Sequence, residues 1–530
     1  MLSSNAPCRT SARRIAITAS GFSGKSANCG SGAKPMTNHF TCPTPPMLLA
    51  IALVVAVAGC SSLGLKTDRD LEPPARVERP WMPPVSVSVA TSRLEKVYAL
   101  DETKAAQSLR GQVYDLPGLV DLALRTNPQT QRAWYAAQAA DAQLGQSQAA
   151  NYPKIYGTGE GGYLKLPIQF PGQTLVIRNE AFLPQIKVSY DLLDFGRTRA
   201  TERSAREQLI ATNFAFNRAI QDVVFSVEKA YYVLSAAKAS VSAARANLKL
   251  AQTSLGAIQE RHQMGLATKP QILLAKQVEA QAVYDLENAK SMVHDAQAGL
   301  CAAIGVPADV AINVQSLDHE RVPTSLGEDV ERLTDDAVEK RPDIAAQIAA
   351  VRAGDAAIDR ARSEFYPEVE LGGNYGQIIW SYTVNGGHTQ DLNQPFYGAL
   401  LSLRWDLFTG FDRYYGVQKA MAQRNAARSE LKSLQLNVIA TVWTAYYDFR
   451  SARKKYDASE TLVAASEESY SANLESHRHG LATITDLISA ERDLMAARYT
   501  LVQNKAELLV SSSALVHAVG AGSASHAPTH

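Results

Sequence analysis

The sequence predicts a mainly α-helical fold with membrane β-strands, built from one helix–strand–strand–helix unit that occurs twice. Three observations predict this fold: landmarks that recur at a constant spacing, two long stretches almost free of Gly and Pro, and segments that alternate apolar and polar residues. The chain has 530 residues, of which 46% are apolar and 20% charged. It is therefore too long for one compact core and too apolar for a disordered chain.

Internal repetition is the most specific of these observations. Five landmarks recur in the same order and at nearly the same offset, which changes by a single position between the second pair and the third. They are Asn127-Pro128 with Arg341-Pro342, Tyr152-Pro153 with Tyr366-Pro367, Tyr190-Asp191-Leu192 with Trp405-Asp406-Leu407, Ala230-Tyr231-Tyr232 with Ala445-Tyr446-Tyr447, and Gly265-Leu266-Ala267-Thr268 with Gly480-Leu481-Ala482-Thr483. A register that holds over such a length indicates a duplicated unit. We predict a first repeat over 111–325 and a second over 326–520, followed by a disordered tail at 521–530.

Each unit ends in two predicted long helices. Residues 417–479 contain neither Gly nor Pro, and 197–264 contains only Gly256. Because these residue types normally interrupt helices, both stretches are predicted to be continuous. About 65 residues at about 1.5 Å each form a rod of about 100 Å, which is longer than a compact domain requires and suits a structure that bridges a wide gap. We expect Gly196 and Gly410 to absorb the bend from strand to rod.

The strand segments show the pattern of a sheet with one apolar and one polar face. Residues 186–192 and 399–407 alternate apolar with polar side chains. With about ten residues per strand, this is the period of a membrane barrel around a wet lumen, and a soluble sandwich with one solvated face has the same period. Four strands cannot close a barrel alone, and open edges are not tolerated in lipid. Either several chains pool their strands, or the sheet lies outside a membrane.

Weaker patterns, rich in Gly and Tyr, predict partner strands at 154–165 and 368–380. Residues 166–181 and 381–395 contain Gly or Pro, so we expect polar, outward-facing loops there. Tyrosine and tryptophan residues near the predicted strand ends would suit the aromatic girdles of a membrane interface.

The N-terminal region is predicted to be an export signal. Residues 48–58 form an uncharged run that is too short to span a bilayer but suits the core of a signal peptide. The run leads into Val-Ala-Gly before Cys60, which resembles the bacterial lipoprotein signal in which this cysteine is lipidated and becomes the first residue; the alternative is an ordinary signal peptide with a chance cysteine. We predict a signal region at 1–59 and a lipidated tether at 60–110. The nearest upstream basic residue is Lys34, which indicates a mis-assigned start codon.

Taken together, these features resemble the TolC-like outer-membrane efflux protein family, and with the cysteine motif they look most like its lipoprotein branch. The resemblance rests on the duplicated unit, the Tyr-Pro before each first strand, the Asp-Leu before each strand-to-helix turn and the Gly-Leu-Ala-Thr tips. The usual tyrosine- and proline-rich N-terminal motif of that branch is not seen. The resemblance implies a homotrimer whose pooled strands form a twelve-stranded outer-membrane β-barrel, continued by a long periplasmic α-helical barrel.

The same resemblance implies a passive, non-enzymatic exit duct for drugs or other small solutes in a tripartite efflux system. An inner-membrane pump would load the duct through a periplasmic adaptor protein. The expected location is the outer membrane of a Gram-negative bacterium, with a lipid anchor and an extension into the periplasm. Two alternatives stay open: the exit duct of a type I protein-secretion system, and a periplasmic coiled-coil scaffold lipoprotein that never inserts.

The turns between the two long helices of each unit, called the tips, carry the predicted contact residues. Gly supplies the left-handed conformation that ends one helix, and Thr can cap the next. The resemblance implies in addition that the tips close the periplasmic end and contact the adaptor. The predicted contact residues are Met264, Gly265, Leu266, Ala267 and Thr268 in the first tip, and Gly480, Leu481, Ala482 and Thr483 in the second.

Asp486 is the predicted pore constriction. In the family, an aspartate at the matching position points into the tunnel, and its three copies form an anionic ring. The alternative from local sequence is a capping box between Thr483 and Asp486. The family's second aspartate corresponds to Ser489, its tip arginine to Ala482 and its partner aspartate in the first repeat to Gln271. The implied gate is therefore less charged than the gate of the family.

Composition and motifs exclude several other functions. The chain has 53 basic and 52 acidic residues and a net charge of +1, so nothing suggests a nucleic-acid partner. It contains no Cys-x-x-Cys, no His-Glu-x-x-His and no Walker-type loop. No catalytic site, cofactor or metal site is therefore predicted, and the tip histidines His262, His477 and His479 are interpreted as solvent-exposed residues rather than ligands.

Overall fold

The structure is a computed structural model that describes residues 113–308, 310–315 and 329–521. The predicted signal region, the lipidation site Cys60 and the tether lie outside the described residues. The predicted tail does too, apart from Ala521.

The first repeat folds in the predicted order of short helices, two strands and two long helices. Its elements are β1 (Val113–Tyr114), α1 (Leu116–Thr126), α2 (Pro128–Gln148), β2 (Lys154–Phe170), β3 (Gln173–Leu193), α3 (Arg197–Gln263), α4 (Lys269–Ile304) and β4 (Asn313–Val314). Proline begins α2, where its missing N–H has no helical partner to lose. The Asn127 side chain caps the same helix by accepting the N–H of Gln129 at 2.7 Å.

The second repeat has the same order of elements. They are α5 (Val330–Lys340), α6 (Pro342–Ser363), β5 (Glu368–Val384), β6 (Gln390–Arg404), α7 (Asp412–Arg478) and α8 (Ile484–Val519). α3 and α7 have 67 residues each, and α4 and α8 have 36 each. A helix of 67 residues is about 100 Å long at about 1.5 Å per residue. The predicted mainly α-helical, duplicated fold is confirmed.

The four long strands form one antiparallel sheet in the order β2-β3-β5-β6. The strand hairpins of the two repeats therefore lie side by side, with Ile186 opposite Tyr375 where β3 meets β5. β1 and β4 form a separate parallel pair with Val113 opposite Asn313. No helix in the described ranges is both long and apolar enough to cross a membrane.

The two predicted loops were wrong in extent. β2 and β3 have 17 and 21 residues, and β5 and β6 have 17 and 15. The loop predicted at 166–181 lies mostly inside the first strand hairpin, which turns at Pro171-Gly172, and only 385–389 remains of the loop predicted at 381–395. The backbone ladder continues beyond the apolar segments because hydrogen bonding between strands does not depend on side-chain polarity. Gly172, at φ 91°, allows the tight turn.

Left-handed residues mark both turns from strand to long helix. Gly196 (φ 92°) and Gly410 (φ 64°) absorb the bend as predicted. Each glycine has a left-handed phenylalanine beside it, Phe195 (φ 50°) and Phe411 (φ 69°), so Gly and Phe occur in opposite order in the two repeats. This conformation is uncommon for a bulky residue. In the first turn the Asp194 carboxylate supports it by accepting the backbone N–H of Gly196 at 3.0 Å.

The long helices pair as two antiparallel hairpins, hairpin 1 (α3 and α4) and hairpin 2 (α7 and α8). α1 packs against hairpin 1 around Tyr231 and Leu300, and α5 packs against hairpin 2 around Val442 and Leu508, all four fully buried. The two hairpins contact each other where α3 meets α8, and this contact is called the seam. α1 and α5 thus brace the middle of α3 and α7, away from both tips.

Candidate functional site

One face of the sheet carries an apolar band next to the helices. On β3 the band runs from Phe182 to Tyr190, a distance of eight residue-to-residue steps, or about 26 Å at about 3.3 Å per step. This is close to the apolar height of about 25 Å on a membrane strand. On the same face Glu180 and Arg178 follow, so the strand continues past the band in polar surroundings. The band continues on β5 and β6 with Leu371, Tyr375, Leu401 and Leu403, all exposed.

The opposite face of the sheet is polar along most of β3 and at several positions of β5. Lys187 and Asp191 of β3 lie on it, opposite Asn374 and Glu370 of β5. Lys187 Nζ lies 3.7 Å from Glu160 of β2. At the end of the sheet the first residue of α3, Arg197, contacts Glu368 of β5 at 2.9 Å. These paired charges suit a wet path that continues from the sheet toward the helices.

Each tip ends one long helix and begins the next with the same backbone geometry. Gly265 (φ 74°) and Gly480 (φ 75°) are left-handed. The N–H of Leu266 donates to the Arg261 carbonyl at 2.8 Å, and Leu481 makes the same bond to Ser476, also at 2.8 Å. Such six-to-one bonds satisfy carbonyls at a helix end, and the left-handed turn that makes them explains why Gly occurs in both tips.

The helices that follow the tips begin with reciprocal caps. The Thr268 N–H donates to Oε1 of Gln271 at 2.7 Å. In the second tip the Thr483 N–H donates to Oδ2 of Asp486 at 2.9 Å, and the Asp486 N–H donates to Oγ1 of Thr483 at 3.2 Å. Within a single chain, Asp486 therefore forms the capping box that local sequence predicts. Gln271 has the matching role in the first repeat.

Asp486 remains an exposed acid within this cap. Hydrogen bonds from the Thr483 hydroxyl, at 2.6 Å, and from the Thr483 backbone lower the pKa of its carboxyl below the ordinary value. Both bonds go to Oδ2. The cap keeps the side chain in one orientation and ionised at neutral pH, so a fixed negative charge lies at this tip.

A histidine near the end of each first long helix makes a hydrogen bond across the tip, and sequence reasoning missed both bonds. His262 Nδ1 lies 2.6 Å from the Ala267 carbonyl oxygen, and His477 Nδ1 lies 3.0 Å from the Ala482 carbonyl oxygen. Because a carbonyl only accepts, Nδ1 carries the proton in both. The signal that could have identified them is their equivalent place in the two repeats, since their offset in sequence equals that of the tip glycines.

The tips also present apolar side chains to solvent. Met264 and Leu266 are each 65% exposed, and Leu481 is 83% exposed. His479 instead contacts Glu475, with Nε2 at 2.9 Å from Oε1. Within the described ranges, no group of three or more His, Cys, Asp or Glu side chains is arranged to hold a metal.

The chain resembles known proteins in both sequence and fold. The family described as outer membrane efflux protein matches residues 119–306 and 333–521. Protein CyaE of Bordetella pertussis is 27% identical over 415 residues, which cover 76% of this chain and 83% of that protein. The probable efflux pump outer membrane protein TtgC of Pseudomonas putida is 25% identical over 486 residues, 90% of this chain and 95% of that protein. The crystal structure of the outer membrane protein VceC from Vibrio cholerae has a TM-score of 0.62 at 20% identity, over 76% of this chain and 96% of that one.

Proposed function

The chain belongs to the outer membrane efflux protein family, and from that premise we propose that it is the passive outer-membrane exit duct of a tripartite efflux system. The cargo would be drugs or other small solutes that move from the periplasm to the exterior. Members of this family are efflux channels rather than enzymes. The efflux assignment of the relative from Pseudomonas putida supports the same role here.

The observation that carries the proposal is the direct junction between the sheet and the long helices. An apolar band of about 26 Å suits the hydrocarbon core of a membrane, and α3 begins four residues after β3 ends. A helix of 67 residues then extends about 100 Å away from the band. A scaffold outside the membrane has no need of an exposed apolar band on one sheet face, because such a band favours aggregation.

The proposed assembly is a homotrimer. Among the described strands, β2 and β6 lie at the two edges of the sheet, and each has a row of backbone groups without a partner strand. Open edges are not tolerated in lipid. Three copies would contribute twelve strands and close them into a barrel, with the polar sheet face inside and the long helices continuing the duct.

The remaining parts of the chain complete the proposal. A signal region at 1–59 would direct export, and lipidated Cys60 with the tether at 60–110 would anchor the protein in the outer membrane of a Gram-negative bacterium. The two repeats, 111–325 and 326–520, would form the duct. The tips would contact a periplasmic adaptor loaded by an inner-membrane pump. The exposed apolar residues Met264, Leu266 and Leu481 would contribute to that contact, together with Gly265, Ala267, Thr268, Gly480, Ala482 and Thr483.

Planar-bilayer recording tests this function. The protein is extracted in detergent, its oligomer mass is measured, and its conductance is recorded from the same sample. Discrete channels from a trimer are the expected result. A monomer without conductance would overturn the proposal, because one sheet alone encloses no path.

A further inference from the structure

Glu491 is an ionisable residue buried in the seam between the two hairpins. It lies in α8, within two helical turns of the second tip, and it is 0% exposed. Ser254 of α3 donates a hydrogen bond from Oγ to Glu491 Oε2 at 2.7 Å. The other carboxyl oxygen, Oε1, is buried without a hydrogen-bond partner in the described part of the chain. Near the tips, a polar bond at a titratable residue therefore crosses the seam. At the far end of the seam, His517 of α8 contacts Arg218 and Asp222 of α3.

The surroundings of this carboxyl are apolar. Leu487 and Ile488, one turn before Glu491, belong to a buried cluster that also contains Leu255 and Ile258 of α3. A carboxylate in such a place loses its hydration and gains little in return. Burial raises the pKa of Glu491 above its ordinary value, and the Ser254 hydrogen bond only partly opposes this.

Charged groups are near the seam but do not compensate Glu491. A groove of about 620 Å³ adjoins it, and Tyr470 of α7 forms part of its wall. Glu467 of α7 and Arg498 of α8 line this groove and pair with each other at 2.9 Å. Lys249 of α3 also lines it. Burial and the charge of Glu491 raise the pKa of Tyr470, so this phenol stays neutral beside the carboxyl.

The buried acid belongs to the second repeat alone. The residue at the equivalent place of the first repeat, in α4, is Lys276, which is exposed. The two hairpins are otherwise matched in length and in tip geometry. Glu491 is therefore specific to the helix that forms the seam with hairpin 1, rather than a feature inherited from the duplicated unit.

We infer that Glu491 is a positioning residue of the periplasmic end: as an uncharged carboxylic acid it holds hairpin 2 against hairpin 1 above the tips, and loss of its proton loosens the seam. In the neutral state Oε2 keeps the Ser254 bond, and leaving the neutral Oε1 without a partner costs much less than leaving a charge there. In the ionised state Oε1 requires water, and a movement of α8 away from α3 would admit it. The spacing of the tips would thus follow pH. Its consequence for conduction rests on the proposed function, whereas the seam itself lies within one chain.

The sign of the effect follows from the direction of titration. A carboxyl whose pKa is higher in the folded than in the unfolded state stabilises the folded state below the unfolded value of about 4.3, and this contribution is lost as the pH rises through the folded value. The seam is therefore expected to be tight in acid and looser at alkaline pH.

Two measurements on the purified full-length protein test the inference. Spin labels at Met264→Cys and Leu481→Cys, both exposed tip positions, report the distance between the tips when labelled protein is diluted with unlabelled protein. Thermal unfolding across roughly pH 4 to 9 reports stability over the range in which a carboxyl with a raised pKa titrates. Neither readout needs conduction, so failure here is distinguishable from failure of the proposed channel.

The variants are Glu491→Gln, Ser254→Ala and the matched control Asp493→Asn, which removes an exposed charge from the same helix.

The expected results differ among the variants. Wild type and Asp493→Asn should lose about 1–2 °C of Tm for each pH unit between the unfolded pKa of Glu491 and its raised folded pKa, and no more above the folded value. Their tip distances should broaden as the folded carboxyl ionises. Glu491→Gln should show neither change, because its amide imitates the neutral acid. Ser254→Ala should move the transition to higher pH, since it removes the bond that favours the ionised form. Identical pH profiles for wild type and Glu491→Gln would overturn the inference, and so would an unmoved midpoint in Ser254→Ala.

Discussion

Arg341 donates a hydrogen bond from Nη1 to the carbonyl oxygen of Ala518 at 2.8 Å, where the last helix of the second repeat ends. In the first repeat Asn127 Nδ2 makes the corresponding bond to the carbonyl of Ala303 at 2.7 Å. The two acceptors are separated in sequence by the same offset as the two tips. Different side chains at the start of α2 and α6 thus satisfy the same unpaired carbonyl at the end of the long hairpin, which explains why Asn-Pro and Arg-Pro are equivalent landmarks.

Removing either side chain should destabilise the protein, but not equally. Arg341→Ala is expected to lower the free energy of unfolding by about 3 kcal/mol, because it also leaves the carboxylate of Asp343, 2.6 Å away and only 21% exposed, without its partner. Asn127→Ala should cost about 1–2 kcal/mol for one buried bond. Denaturant unfolding measures both. Arg352→Ala, an exposed arginine in α6, is the control and should change stability by less than about 0.5 kcal/mol; equal losses for Arg341→Ala and Arg352→Ala would contradict the role of the bond.

The ion pair between Arg341 and Asp343 should make the stability of the protein depend on pH in the acid range. Burial alone would raise the pKa of Asp343, but the hydrogen bonds and charge of Arg341 and the charge of Arg218 lower it below the ordinary value. A carboxyl whose pKa is lowered in the folded state stabilises the protein above its unfolded pKa of about 3.9. This stabilisation is lost as the pH falls through the folded pKa. The measurement is stability between neutral pH and the acid limit, which should fall less steeply in Arg341→Ala than in wild type. Parallel curves of stability against pH for the two proteins would show that Arg341 does not lower the pKa of Asp343.

Gly520, the residue after α8, should not tolerate a side chain. A Cβ there would lie 2.8 Å from Cγ of Arg341, and the backbone is left-handed at φ 82°. Gly520→Ala is expected to cost more than about 1 kcal/mol. Gly256→Ala is the matched control, because its Cβ would meet nothing within 4 Å inside α3, and it should stabilise the helix by about 0.5–1 kcal/mol. Thermal unfolding compares the two, and equal Tm shifts would contradict the close approach of Arg341.

Asp486→Asn should weaken block of the channel by trivalent cations. Three copies of the exposed Asp486 would form an anionic ring in the proposed trimer, and the substitution removes its charge. The amide can still accept the Thr483 backbone bond of 2.9 Å, so the cap is retained and the effect reports charge alone. Bilayer recordings with added trivalent cation measure the block, with Asp493→Asn as the control. Unchanged block in Asp486→Asn would leave the residue with its capping role only.

Cys60→Ser is expected to yield a protein that is exported but not lipidated. The prediction follows from the Val-Ala-Gly-Cys segment after an apolar run, which lies outside the described residues. Mass spectrometry of the purified protein detects the acyl chains. Acyl mass on the serine variant would show that the anchor lies elsewhere.

The tips show which structural features local sequence signals can predict. Gly265 and Gly480 were predicted to end their helices, and Thr483 to begin the next, because these signals act within one or two turns and need no distant partner. The bond from His262 to the Ala267 carbonyl is equally local but was missed, since a histidine is not a usual capping residue and only its counterpart in the second repeat marks it.

The strand hairpins show where local sequence fails. The loops at 166–181 and 381–395 were predicted from their polar character and their Gly and Pro residues, yet the strands continue there. Side-chain polarity reports which part of a strand faces lipid or core, whereas strand length is set by the backbone ladder to the neighbouring strand. That neighbour, β5 beside β3, comes from the other repeat.

The sequence by itself determined the duplication, the mainly helical class, the length of the long helices and the chemistry of the tips, because repeats, helix breakers and caps act through neighbours along the chain. Tertiary structure alone decided that Arg341 meets Ala518, that the strand hairpins of both repeats form one sheet, and that Glu491 is buried against Ser254. Each of these joins residues far apart in sequence. Whether a charged side chain there is solvated, paired or buried depends on the element packed against it, and no local pattern carries that information.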